Sequence, residues 1–424
     1  MNKLPAGWEE KYIEEVFEIR KNYTNARKDL DNNSNISYLH YGDIHKYYQH
    51  KLDCKNISLP KISENKLSKD INKLELVKNG DLIVVDVSED YKGICSSVEV
   101  KNLSYKLVSG LHTLLLRDKG NYFADGYKGY IFYNHNVHKE CCKVATGISV
   151  YGINRKNLKK IKIPIPPLDE QKRIASALSK IDAYLENTIK LIEEKERFKR
   201  GIAKKLLTCK EGENIPEARF KGFEDEWEMV KLGDICLINN KSLKENTDKD
   251  YKFKYIDLTA VKKGIINFSN DYTTFENAPI SARRIINKND IIMSTVRPYL
   301  LGHAFIDFEA KDYICSKGFA VLTANSNIEM KYIYQYLYSD DMAKQIKSRL
   351  VGSTYPTIRL SDIKELKIKI PKSIKEQEKI GGYLSLLDEE IDNLKKQKEL
   401  IKEMKRGAMQ KLLSGEVRLV DNYD

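Results

Sequence analysis

Residues 161–207 read IKIPIPPLDEQKRIASALSKIDAYLENTIKLIEEKERFKRGIAKKLL, and residues 366–413 read LKIKIPKSIKEQEKIGGYLSLLDEEIDNLKKQKELIKEMKRGAMQKLL. From Glu170-Gln171 against Glu376-Gln377 the two stretches keep one fixed offset, down to Lys199-Arg200-Gly201 against Lys405-Arg406-Gly407. The repeat continues upstream. Gly147 matches Gly352, Ile153 matches Ile358 and Leu158 matches Ile363, one residue out of register with the helices, so a single-residue insertion falls in the turn before the helix. The only two tryptophans, Trp8 and Trp227, stand near the starts of the two halves. Between these anchors the halves diverge. GDLIVVDVSEDYKGICSSVEV after Asn79 and NDIIMSTVRPYLLGHAFID after Lys288 share only a polar turn and then an apolar, strand-like run. A duplicated helix, each copy preceded by a large diverged segment, is a spacer carrying two different readers.

The helices carry a heptad seam. In the first, Ile174, Ile181, Thr188, Lys195 and Ile202 fall at sevens, with Leu178, Leu185, Ile192, Lys199 and Leu206 four residues later. In the second the rows are Ile380, Leu387, Leu394, Ile401 and Ala408, then Leu384, Ile391, Lys398, Lys405 and Leu412. This is an a/d pattern that weakens toward its C-terminal end, where lysines enter it. Ser373 with Glu376 predicts a capping box, Asp169 and Glu170 suit the first helix's N-terminal dipole, and Pro164, Pro166, Pro167 and Pro371 end the strands before the helices. Each helix is expected to run about 37 residues, roughly 55 Å. Two such helices in one chain most simply pair antiparallel, setting the globular segments at opposite ends about a pseudo-two-fold axis. Gly201 and Gly407, at equivalent interior positions, predict either a close helix approach or a frayed last turn.

The chain has 424 residues, enough for two cores, and no apolar run of membrane-spanning length. It shows no N-terminal signal pattern, and its seven irregularly spaced cysteines suit a reducing cytoplasm. Its formal charge of +12 is compatible with a polyanionic partner, although only fifteen of the 73 basic residues are arginine and the lysine excess also fits a compositional bias. Catalytic signatures are missing: no adenine-methyltransferase motif, no glycine-rich cofactor loop and no phosphate loop. Asp86 or Asp90 with Glu99-Val100-Lys101 only loosely matches a nuclease pattern and has no counterpart in the second half. His135, His138 and Cys142 of HNVHKECC would share a face if helical, but an amphipathic helix is the better reading than a metal site.

The stretch PLDEQKRI (167–174), its echo PKSIKEQEKI (371–380), and APISARRIINKNDIIMSTVRPYLL (278–301) with VGSTYPTIRLSDIKELKIKIP (351–371) resemble type I restriction–modification specificity subunits over essentially the whole chain. The resemblance implies an α/β protein: two globular α/β target-recognition domains joined by two long antiparallel coiled-coil helices, with a pseudo-two-fold internal duplication. The expected boundaries are 1–168 and 213–372 for the domains, with 169–212 and 373–424 for the helices and tail. It implies a non-catalytic cytoplasmic subunit that reads an asymmetric bipartite site on double-stranded DNA. The implied partners are two modification subunits that methylate adenine with S-adenosylmethionine, and restriction subunits that use ATP and Mg; no cofactor or metal is expected in this chain. A recognition subunit of a different methyltransferase–nuclease system, or a coiled-coil adaptor without a DNA role, are the alternatives.

Within the second domain the expected DNA contacts are Arg283, Arg284, Arg297, Tyr299, Ser353, Thr354, Tyr355, Thr357 and Arg359, because arginine binds guanine in a bidentate manner or grips phosphate. The first domain has GISVYGIN (147–154) where the second has GSTYPTIR, and its corresponding residues are Lys143, Thr146, Ser149, Tyr151, Asn154 and Arg155. Helix pairing is assigned to Ile174, Leu178, Ile181, Leu185 and Ile192, and to Ile380, Leu384, Leu387, Ile391, Leu394 and Ile401.

Overall fold

A computed structural model describes residues 4–420, apart from 32, 48–49, 68–72, 211 and 326. The chain forms two compact units that do not follow chain order: residues 1–188 with 397–424, and residues 189–396. Each unit is an α/β domain holding the start of one long helix and the end of the other. The helices run over Leu168–Leu207 and Ile374–Ser414.

The domains share one scaffold. In the first unit Glu9–Tyr12 pairs antiparallel with Lys162–Ile165, the strand leading into the helix; in the second, Glu228–Lys231 pairs with Lys367–Ile370 in the same register. A one-turn helix follows each outer strand, Ile13–Val16 or Leu232–Ile235. The main sheet of the first unit then orders Phe17–Arg20, Thr113–Asp118, Leu82–Val85, Ser97–Lys101 and His50–Asp53. The second unit orders Cys236–Ile238, Phe319–Ala324, Ile291–Ser294 and His303–Phe305. The two polar turns recognised in sequence open equivalent central strands. Asp81 accepts the Lys78 amide and Asp290 the Asn287 amide, each at 2.7 Å, with Gly80 and Asn289 in the left-handed region. The short carboxylate closes the turn and satisfies a donor that the strand cannot.

The insertion lies where the register shift required it: residues 166–167 separate strand from helix in the first copy and 371–373 in the second. Pro164, however, lies inside its strand, opposite Glu10, instead of ending it. A two-stranded ribbon leaves one side of each strand unpaired, and proline fits there.

Both long helices begin on the same joint. Glu170 and Glu376 are buried and accept bidentate bonds from Arg418 and Arg219 at 2.7–2.8 Å. The indole N–H of Trp8 donates to Glu170 and that of Trp227 to Glu376. Gln171 accepts the Ala124 amide and donates to the Pro166 carbonyl, while Gln377 accepts the Glu329 amide and donates to the Pro371 carbonyl. The expected capping box is therefore corrected. The Glu376 carboxylate is committed to Arg219 and Trp227, whose charge-assisted bonds in a buried site outweigh a return to the Ser373 amide. Both arginines follow a long helix: Arg219 comes after the first and Arg418 after the second.

The seam has two roles. Ile174 and Leu178 lie in the first domain's core with Leu412 and Leu413, and Ile380 and Leu384 lie in the second's with Leu206 and Leu207. Within each unit the start of one helix thus packs antiparallel against the end of the other. Leu387, Ile192, Ile391 and Ile401 are buried, while Ile181, Leu185 and Leu394 are half-buried. Three of the four lysines that weaken the pattern are ion-paired across the helices, Lys405 with Asp182 and Lys199 with Asp388 at 2.5 Å and Lys195 with Glu390 at 2.6 Å, whereas Lys398 pairs with its own neighbour Glu399 at 3.2 Å. Gly201 and Gly407 mark neither a close approach nor a frayed end, because a Cβ there would meet nothing and the helices continue past them. The close approach is at Gly381, where a Cβ would come within 2.6 Å of the Tyr332 amide. Among the described residues no helix is long and apolar enough to cross a membrane.

Candidate nucleic-acid interface

In the second unit the segment 351–357 is closed on itself by reciprocal backbone bonds between Val351 and Thr357. Gly352, at φ +91°, opens the turn, and Ser353, Thr354 and Tyr355 project into solvent. A second loop, leaving the central strand Ile291–Ser294, lies against it. Val296 bridges to Thr357, the Arg297 amide donates to the Pro356 carbonyl, and the Arg297 guanidinium covers the Tyr355 ring at 4.5 Å while donating to the Thr354 carbonyl. Arg297 and Leu301 both hold left-handed φ, +46° and +58°, a strained setting for residues with a Cβ. Between them Tyr299 and Leu300 are exposed. Arg297 Nε is buried without a partner, so part of its donor capacity is unused. Arg359 is exposed at the N-terminus of the helix Leu360–Lys364.

Arg283 and Arg284 stand at a bulge in the edge strand Ala282–Ile285. With Ser242, Lys244 and Lys317 they line a shallow recess in which Glu245 is the one acidic side chain against four basic ones. Arg283 lies over Phe275 at 4.4 Å, and Arg284 donates to the Ser242 hydroxyl while its buried Nε has no partner. This cationic concavity is suited to a phosphate.

The first unit builds the same pair of loops. Thr146 and Gly152 exchange backbone bonds across a loop of the same length as 351–357, and Tyr151–Gly152 pairs with Val87–Ser88, which follows the central strand Leu82–Val85. Tyr91 stacks on Tyr151 with ring centroids 4.0 Å apart, where the second unit has Arg297 on Tyr355. Of the expected contacts, Thr146 and Ser149 are exposed on this loop, and Lys143 is exposed and paired with Glu140. Asn154 caps the helix Arg155–Lys159, its side-chain oxygen accepting the Asn157 amide, which commits one of that oxygen's two lone pairs to the fold. Arg155 donates to Asn22. Beside the expected contacts these loops also expose Tyr91, Ile148 and Leu300, and Lys317 lines the recess; sequence reasoning singled out none of the four. Tyr91 was findable, since SEDYKG follows its strand as TVRPYLLG follows the matching one.

The loose nuclease pattern does not converge. Glu99 is buried, accepting the amides of Gly126 and Gly129 and pairing with Lys128, while Asp86 faces His112 and Asp90 closes its own turn on Gly93. HNVHKECC is a helix capped by Asn134, with Cys141 in the core and His138 beside Cys142; no cluster of three metal-ligand side chains occurs among the described residues.

The family model for the type I restriction modification DNA specificity domain matches residues 5–194 and again 224–403. The chain belongs to that family. The type I restriction enzyme MjaVIII specificity subunit of Methanocaldococcus jannaschii is 26% identical over 376 residues, covering 84% of this chain and 83% of its own. A crystal structure of the type I restriction–modification S subunit from M. genitalium is similar at TM-score 0.57 and 19% identity, over 97% of each chain. A chain from structural work on complex assembly and conformational transition of the type I system matches at TM-score 0.59 and 14% identity, over 98% of this chain and 100% of that one. The fold is that of these subunits, and the chain's role is DNA specificity, not catalysis.

Proposed function

We propose that each unit reads one half of an asymmetric bipartite DNA site, leaving an unread gap between the halves. One observation carries this: a single scaffold is built twice, and at the same topological position the two copies present different side chains. Identical readers would ask for a repeated half-site; unlike ones ask for two different half-sites. The contacts we assign are the loop residues Ser353, Thr354, Tyr355, Arg297 and Tyr299 in the second unit, with Arg283 and Arg284 on phosphate. In the first unit they are Thr146, Ser149 and Tyr151.

The catalysts are partner subunits: two that methylate adenine from S-adenosylmethionine, and restriction subunits that use ATP and Mg. Docking of two modification subunits is supported by a feature that recurs once per helix. Phe198 and Met404 occupy equivalent positions, both are about half exposed, and each precedes a glycine, Gly201 or Gly407, with open space around it. An exposed large apolar group beside an empty glycine suits a packed helix from a partner. The test is methylation by the purified chain with and without the modification subunit, followed by methylome sequencing. The chain alone should be inert, and the complex should methylate adenine in one bipartite motif. Robust methylation by the chain alone, or a motif with a single undivided half, would overturn the reading.

A further inference from the structure

The loop 147–150 of the first unit is built to be rigid and to show apolar groups. Gly147 has φ +140°, and a Cβ there would run into the Val150 carbonyl, so the turn needs glycine. The reciprocal Thr146–Gly152 bonds close its base and the Tyr91–Tyr151 stack walls one side. At its tip Ile148 is 95% exposed and Val150 52%. An isoleucine held in water on an ordered turn gains nothing from its own fold. Of the residues flanking it in sequence, Lys143 is paired with Glu140, but Arg155, Lys156, Lys159 and Lys160 are exposed cations, which favours a polyanion over an apolar protein surface as what covers the loop. The matching loop of the second unit, tied at the same separation and to the same neighbouring segment, presents Ser353, Thr354 and an arginine-stacked tyrosine instead.

In the major groove only thymine offers an apolar group, its C5-methyl. We infer that Ile148, supported by Val150, reads thymine methyl groups in the half-site of the first unit, whereas the second unit's loop works through hydroxyl and guanidinium donors. The inference rests on the DNA-reading function proposed above and adds the chemistry of one of its contacts. Deoxyuridine is the probe, because it keeps the base pair and lacks only the methyl.

The full chain, assembled with its modification subunit, is titrated against duplexes carrying the methylated motif, with deoxyuridine replacing thymidine at one position at a time. Loss of one buried methyl should weaken wild-type binding about fourfold, the equivalent of roughly 0.8 kcal/mol. This should occur at one or two positions, all within one half-site. Ile148→Ala should bind the thymidine duplex more weakly by at least that factor and be indifferent to deoxyuridine at the same position, while Val150→Ala retains part of the preference. The side chain is so exposed that its removal leaves the fold intact, which an unchanged melting temperature verifies. Wild-type binding that ignores deoxyuridine everywhere, or an Ile148→Ala complex that keeps the full thymidine preference, overturns the assignment while leaving DNA reading in place. An Ile148→Ala chain that no longer assembles with its subunits also overturns it, in favour of a protein contact. Failure of the wild-type complex to bind any sequence specifically would strike the DNA-reading function itself.

Discussion

Cutting the chain after Gly222 should give a half-protein that dimerises, and cutting it after Gly212 a far weaker dimer. In the intact chain the first unit is completed by residues 397–420. Leu412 and Leu413 enter its core, Lys405 pairs with Asp182, and Arg418 clamps Glu170. A second half-chain can supply the same groups from equivalent positions: Leu206 for Leu412, Leu207 for Leu413, Lys199 for Lys405. The last substitute is Arg219, which makes the Arg418-type clamp on Glu376 in the second unit and lies beyond Gly212. Each large aliphatic side chain returned to the core contributes about 1.5–3 kcal/mol, whichever cut is used. A bidentate bond to a buried carboxylate contributes about 2 kcal/mol, so two clamps per dimer separate the two half-chains by about 4 kcal/mol, or about a thousandfold in Kd. Sedimentation velocity over a concentration series measures both. Dissociation constants within tenfold of each other, or a longer half that stays monomeric at every concentration, would refute the assigned equivalence. In cells with the modification subunit, two identical readers about a true two-fold should shift methylation to an inverted repeat of the first half-site; persistence of the original asymmetric motif would contradict it.

Three further outcomes test the clamp, the candidate DNA contacts and the exposed helix surface in turn. Arg418→Ala leaves a buried carboxylate without its cation and should cost about 2–3 kcal/mol, read as a lowered Tm. Burial pushes the Glu170 carboxyl up, but the bonds from Arg418 and Trp8 pull it further down, below the usual carboxylate range. The clamp's stability is therefore complete above the unfolded pKa of about 4.3 and is lost as pH falls through the folded value. The variant should show a flatter acid limb in Tm against pH, and superimposable limbs would refute it. Arg297→Ala should relax one position of a single half-site at about 1–3 kcal/mol if the guanidinium reads a base, whereas Arg283→Ala should weaken all sequences alike and reduce the salt slope by about one; unchanged affinity and methylation specificity in both would reject the assignment. Phe198→Glu and Met404→Glu should each remove one modification subunit and together both, as counted by native mass spectrometry, and full occupancy in the double variant would exclude that surface.

The parts of this molecule that sequence reveals are those whose physical role forces a pattern. A helix that must bury one stripe over its whole length shows its heptads, and a duplicated joint shows its Glu-Gln twice. The structure explains why that pair stands out: Glu170 and Gln171 are spent on Arg418, Trp8, Ala124 and Pro166, holding domain to helix. The strongest signature is thus architectural and touches no ligand. The seam lysines misled because a charge at a heptad position looks like decay unless its partner is known, and Asp182 and Asp388 are on the opposite helix. Legibility fails most at the loops proposed to read DNA, for a reason in the physics. A loop needs only a closed base and one glycine to hold its shape, here Gly147 or Gly352, so its remaining positions are released from folding and can follow the target. Arg297 was findable because an arginine is unusual in a lysine-rich chain. Ile148 was not, since an aliphatic residue next to Gly147 reads as core until its exposure is known. A scaffold whose framework is over-determined and whose tips are undetermined can change what it reads without changing how it folds.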